Sequence, residues 1–113
     1  MTIQQFKTKL EATPTTIAFA DTMQVIEGNY NFTPTRFANG EIKNNVGENL
    51  GSCKLFAFAK HQKFTKQATL FCYGAHYQNV LKDANGSSHQ NIRNFIKTGF
   101  EGLSFESEAI SLK

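Results

Sequence analysis

Ile3, Phe6 and Leu10 stand three and four residues apart with polar residues between them, a spacing that predicts a short amphipathic helix at the start of the chain. Thr13-Pro14 then reads as an N-cap followed by proline at the first helical position, where its missing N–H costs nothing. Phe19, Met23, Ile26 and Tyr30 continue at helical intervals, and Gly28 breaks the pattern near the end of this second helix. Phe32-Thr33 is held extended by Pro34. Asn39-Gly40, between Arg36-Phe37-Ala38 and Glu41-Ile42-Lys43, predicts a tight turn in a small β-ribbon. Leu50, Cys53 and Ala57 share one face of a third helix, capped by Ser52 or Asn49, with Phe56 and Phe58 to either side. A fourth helix is expected from about Thr65 to Lys82, with Leu70, Tyr73, Gly74, Tyr77, Val80 and Leu81 on one side. Gly74 inside it costs ~1 kcal/mol against alanine, which predicts close packing at that point. Asp83-Ala84-Asn85-Gly86 forms a turn, Ser87 or Ser88 a cap, and Ile92, Phe95 and Ile96 the buried stripe of a fifth helix closed by Gly99. Gly102 to Glu106 alternates and offers one more strand to the ribbon. The pattern is that of a single compact α+β domain over residues 1–113, dominated by about five helices, with a small antiparallel ribbon.

Composition refines this picture in three ways. A chain of 113 residues makes one domain and buries roughly 65% of its unfolded surface, enough for a core without staples. With eleven phenylalanines and no tryptophan, that core is expected to be phenylalanine-rich. The first ten residues lack the continuous apolar segment of a secretory signal, and no apolar run approaches the ~20 residues that cross a bilayer. Two cysteines, Cys53 and Cys72, are too few for an extracellular disulfide framework. A cytoplasmic protein without a membrane partner is expected, and a monomer is compatible with the pattern. Type III export, which leaves no cleavable signal, is the alternative.

Charge is mild overall, at +3, but uneven. Five lysines (Lys54, Lys60, Lys63, Lys66, Lys82) fall between Asn49 and Lys82 with no acid among them. Such a face can recruit an acidic partner or nucleic acid, or can simply be a solvated helix surface. The segment lacks an arginine-rich or aromatic-interleaved pattern, which disfavours nucleic acid.

Candidate chemistry concentrates in three places: Asn39 to Ser52, Ser87 to Asn94, and the helix pair Cys72 and His76. The asparagine- and glycine-rich stretch from Tyr30 to Lys54 is too long for an ordinary connection and so is expected to be functional or folded in its own right. Ser87 to Asn94 opens the fifth helix, and His89 and Arg93 are four apart there, beside the unpaired N–H groups of a helix start. That combination suits phosphate or carboxylate. The alternative is that Ser88 caps the helix while His89, Asn91 and Asn94 bind the backbone of the asparagine-rich stretch. Either way the helix start should pack near that stretch.

Cys53, at a helix start beside Lys54, has the setting of an activated thiol, and Cys53, His89 and Asn91 or Asn94 follow the chain order of cysteine hydrolases. It also shares an apolar face with Leu50 and Ala57, where a thiol is only a small hydrophobe. Cys72 and His76, at i and i+4, could ligate a metal only if Cys53, His61 or His89 converged on them. No metal and no cofactor are therefore expected. The segment GENLGSCK lacks the spacing of a phosphate-binding P-loop.

FTPTRFANG, NVGENLGSCKLFAFA, HQNIRNF and GFEGLSF together resemble the HopJ type III effector family, over about Tyr30 to Phe105. Asn39, Gly40, Gly47, Asn49, Gly51, Ser52, Cys53 and Lys54 match its motifs, as do His89, Asn91, Ile92, Arg93 and Phe95. Ser88 and Phe100 depart from it, standing where aspartate and tryptophan are common. The resemblance implies a folded, specific asparagine-rich stretch and an effector-like protein with no firmly attached activity. The expected function is a non-enzymatic binding module, with Asn39, Asn49, Ser52, His89 and Arg93 facing a small anionic ligand or a protein partner. The alternative is an enzyme with Cys53 as nucleophile, His89 as base and Asn91 as orienter.

Overall fold

The computed structural model describes residues 1–113. Six α-helices and five short strands follow the chain: α1 (Ile3–Ala12), α2 (Phe19–Asn29), β1 (Tyr30–Phe32), β2 (Phe37–Asn39), β3 (Ile42–Asn44), α3 (Leu50–Gln62), α4 (Lys66–Phe71), α5 (Ala75–Lys82), α6 (Gln90–Thr98), β4 (Leu103–Phe105) and β5 (Ile110–Leu112). The expected helix-dominated α+β architecture with antiparallel pairing is what is found.

Helix α3 is the centre. Leu55, Phe56, Ala57, Phe58 and Ala59 are consecutively buried, so this helix is wrapped on every side rather than amphipathic. Phe56 lies 4.8 Å from Phe95 of α6, 5.8 Å from Tyr73 and 6.3 Å from Phe37 of β2, ring centre to ring centre. Phe58 makes a second cluster with Phe6, Tyr30 and Phe64. The core is thus built from edge-to-face and tilted aromatic pairs, each worth roughly 0.5–1.5 kcal/mol beyond area burial.

The strands form two small sheets. β1 pairs with β5, and β2 lies between β3 and β4, all antiparallel. The strand expected from Gly102 to Glu106 does join the ribbon, as β4. The ribbon's register, however, differs by one residue from the sequence expectation. Asn39 pairs with Ile42, and Gly40-Glu41 form the turn. Gly40 takes φ 60°, which the first turn residue of such a hairpin requires. Because side chains alternate, this one-residue shift puts Asn39 fully inside the protein instead of in the turn.

Helix boundaries depart from expectation at four points. Pro14–Thr16 is a separate 3₁₀ turn in which Thr13 caps nothing, and α2 starts later, with Asp21 accepting from the N–H of Ala18. Leu50 and Leu81, placed on apolar faces by the pattern, are solvent-exposed. Residues 65–82 are two helices, not one, which raises the count from five to six. Gly74 takes φ 59° and breaks the chain direction, and a Cβ there would sit 2.8 Å from the Phe19 nitrogen and 2.9 Å from the Ile17 carbonyl. The close packing expected at Gly74 is real, but it is against the backbone entering α2. Thr22 stabilises the break by donating to the Cys72 carbonyl at 2.8 Å, a buried bond. Helix α6 starts at His89 rather than at a serine cap and does end at Gly99.

Candidate functional site

The asparagines fall into two groups with different surroundings. Asn39 of β2, Asn44 of β3 and Asn91 of α6 are buried and bonded to one another. Asn39 Nδ2 donates to the Asn91 carbonyl at 2.7 Å and to Asn91 Oδ1 at 3.0 Å. Asn91 Nδ2 donates to Asn44 Oδ1 at 3.0 Å, and Asn44 Nδ2 donates back to Asn91 Oδ1 at 3.3 Å. Asn94 adds a bond to the Asn39 carbonyl. The network ties the ribbon to α6. One acceptor, Asn39 Oδ1, is buried without a partner.

Beside this network lies an open cleft of about 510 Å³. Phe19 and Ile42 form apolar walls; Asn49, Gly51 and Ser52 come from the start of α3, and His89, Gln90, Asn91 and Ile92 from the start of α6. Tyr73 and His76 enter from either side of the break at Gly74. Gly51 lets the Phe19 ring lie against the first turn of α3, since a Cβ there would be 2.8 Å from its Cζ.

Both helices begin in the same unusual way. Asn49 (φ 50°, ψ 49°) and His89 (φ 52°, ψ 52°) are N-cap residues in the left-handed region, and neither side chain caps its helix. The first-turn N–H groups of α3 and α6 therefore have no protein acceptor. The usual capping residues are present but engaged elsewhere. Asn49 Nδ2 donates to Asn44 Oδ1 at 2.6 Å. Ser52 Oγ accepts from the Tyr73 hydroxyl at 2.7 Å, and the Ser88 backbone carbonyl accepts from Arg93 Nε, with the Ser88 hydroxyl 3.5 Å from Arg93 Nη2. Burial pushes the Tyr73 hydroxyl pKa up, so it stays a donor. No Asp, Glu, Lys or Arg lines the cleft. His76 and His89 lie against each other in its wall, tilted with ring centres 5.1 Å apart, and Phe19 packs edge-to-face with His76 at the same separation.

The structure separates residues that the sequence grouped. Asn49, Ser52 and His89 reach the cleft, whereas Asn39 is internal and Arg93 points to another side of α6. Arg93 donates to the carbonyls of Asp83, Ala84 and Ser88 and lies 3.9 Å from the Asp83 carboxylate. It anchors the turn before α6, so the expected pairing of His89 and Arg93 on one anion does not form. Asn91 orients no base either: its side-chain amide belongs to the buried network.

The cysteine alternative is also corrected. Cys53 is 1% exposed, its sulfur lies 3.9 Å from the Thr35 carbonyl, and burial raises its thiol pKa despite Lys54. No histidine is bonded to it, and it does not line the cleft. Cys72 is buried, with its pKa pushed up to about 12, and the break at Gly74 removes the helical i, i+4 relation to His76. No three His, Cys, Asp or Glu side chains converge. The lysines, too, have individual tasks: Lys54 pairs with Glu27, Lys66 donates to the Ile96 carbonyl, and Lys60 lies over the Phe105 ring.

Comparison with known proteins gives this geometry a context. Residues 3–110 match the family model described as HopJ type III effector protein. The chain belongs to that family. Its fold is also that of a solved structure described as the unknown-function protein VPA0580, with a TM-score of 0.98 and 48% identity. That match covers 100% of this chain and 95% of the other. Among curated proteins no relative matches. No helix of this HopJ-family chain is long and apolar enough to cross a membrane.

Phe19 and Tyr73 are cleft residues that sequence reasoning left out of the site, and His76 was weighed only as a metal ligand with Cys72. A signal was available for His76. Gly74 inside an apolar helical pattern marks a possible break, and a break there frees the next polar residue from the helix's apolar face.

Proposed function

We propose that the protein is a non-enzymatic, type III effector-like binding module whose cleft receives an anionic group, carboxylate or phosphate, from a small molecule or a protein partner. The observation that carries this reading is the shared opening of two uncapped helix N-termini onto one cleft without a carboxylate. Each helix start carries partial positive charge and unpaired N–H donors, the combination that favours anions. The imidazoles of His76 and His89 add two more donors, and Phe19 with Ile42 and Ile92 gives an apolar body somewhere to lie. The polar face argued from the sequence is kept in part, as Asn49, Ser52 and His89. The family description suggests delivery through a type III system, with the cleft as the part that meets a target.

The test is a titration of ¹⁵N-labelled protein with acetate and with phosphate, following backbone amides. The amides of Leu50 to Ser52 and Gln90 to Ile92 should shift together and saturate, while chloride at matched ionic strength leaves them in place. His89→Gln should weaken the binding about fivefold, the scale of one helix-terminus interaction. Shifts centred on Arg93, or none at either helix start, would sink the reading.

A further inference from the structure

His76 and His89 form a pair without a counter-ion. From α2 the cleft receives Phe19, from β3 Ile42, from α3 Asn49, Gly51 and Ser52, and from α6 Gln90, Asn91 and Ile92 beside His89. The segment carrying His76 adds Tyr73, whose hydroxyl is committed to Ser52. No side chain facing the pair bears a negative charge, and none bears a fixed positive one. The two rings are close enough, at 5.1 Å between centres, that two imidazolium charges would repel each other. The two helix starts beside them oppose the same charge.

We infer that the cleft takes up its anion together with protons on the His76–His89 pair, so that it fills in mildly acidic solution and empties as the pH rises. This rests on the anion-binding reading and adds the regulation of that site. An anion held in the cleft beside the touching rings supplies the missing counter-charge to each imidazolium. Histidine is the side chain whose charge ordinarily changes between about pH 5 and 8. The sign follows from linkage. Binding that raises the proton affinity of a group is itself strengthened when that group is protonated. Affinity is therefore highest where both rings are charged and falls as either loses its proton. The only bond made is an N–H on each imidazole that is charged, its proton given up by a solvent or buffer acid and returned when the anion leaves.

Sulfate is the probe, because its own charge does not change across this range and any pH dependence belongs to the protein. Its affinity should be measured by calorimetry at several values from about pH 6 to about pH 8. Each imidazole that must gain a proton contributes roughly tenfold per pH unit once the pH exceeds the free ring's pKa. Repeating one pH in buffers of different ionisation enthalpy should reveal net proton uptake by the complex. The His76 and His89 Cε1–H resonances should titrate at higher pH in sulfate than in chloride. His76→Gln and His89→Gln should each flatten the slope, and the resonance titration of the unaltered protein stands should either variant fail to fold. Equal sulfate affinity across the range, without proton uptake, would overturn this inference while leaving anion binding intact. Absence of sulfate binding at every pH would overturn both.

Discussion

The buried asparagine network and the open cleft are built from the same segments and share Asn91, yet they treat polar groups in opposite ways. Inside, Asn39, Asn44 and Asn91 use their amides on one another, and only Asn39 Oδ1 is left without a partner. At the cleft, a whole turn of N–H groups at each of two helix starts is left open. The difference does not come from a lack of capping residues. Asn49 serves Asn44 and Ser52 serves Tyr73, while Arg93 holds Ser88 by its backbone carbonyl, so each of the three is tied to a neighbour. Saturated polar groups in a protein report on architecture. Unsaturated ones held in strained backbone report on a site, since such geometry persists only where surrounding structure enforces it.

The largest effect should come from breaking the saturated side. Asn44 is 1% exposed, does not line the cleft, accepts from Asn49 and Asn91, and donates to Asn91. Asn44→Ala leaves these partners unpaired in the interior and should cost about 3 kcal/mol, several polar groups losing bonds at once. Urea unfolding measures it directly. A loss below about 0.5 kcal/mol, the scale of an ordinary surface change, would mean that the network is not structural and the comparison fails.

The closed interior also holds both thiols, and the comparison assigns them no chemistry. An intermediate effect tests that. Burial pushes the Cys72 thiol up to about 12, and Cys53 is raised as well. In the unfolded chain these thiols ionise near their ordinary value, while in the folded protein they stay neutral. Their stabilising contribution is thus fully present below the unfolded thiol pKa and is lost as the pH climbs from about 9 towards 12. The Cys72 share of the loss should approach 1.4 kcal/mol per pH unit. Cys72→Ala should flatten the alkaline fall in stability. An unchanged slope would show that the thiol already ionises in the folded protein, as a reactive cysteine does.

Much of this division was legible in the chain before any coordinates. Composition revealed the phenylalanine core, since eleven phenylalanines and no tryptophan leave little else to fill it. Alternation from Gly102 to Glu106 revealed the third strand of the ribbon. What was hidden depended on backbone states that residue types do not settle. Asn39-Gly40 and Gly40-Glu41 are both reasonable turns, and tertiary contact of Asn39 with α6 chose the second. Ser88 is a better N-cap than His89 by propensity, but Arg93 claims it, and the helix starts one residue later. The cysteine hypothesis failed for a related reason. Chain order carries no distance, and the face shared by Cys53 and Ala57 turned inward.

The smallest effect is the most discriminating, because its two readouts move in opposite directions. His89 holds φ 52° and ψ 52°, a conformation that costs an L residue roughly 1–2 kcal/mol and a glycine far less. Its ring is exposed and makes no hydrogen bond within the protein, so little native stabilisation is lost with it. His89→Gly should therefore leave the folded state as stable as before or up to about 1 kcal/mol more stable, the relief of strain being partly offset by a more flexible unfolded chain. The same substitution should weaken sulfate binding, since one imidazole is gone from the cleft. A scaffold residue behaves otherwise: its removal lowers stability and affinity together, as the whole site loosens. If His89→Gly destabilises the protein by more than about 1 kcal/mol, the ring belongs with the asparagine network, and the cleft loses its claim to be a separate, strained and functional region.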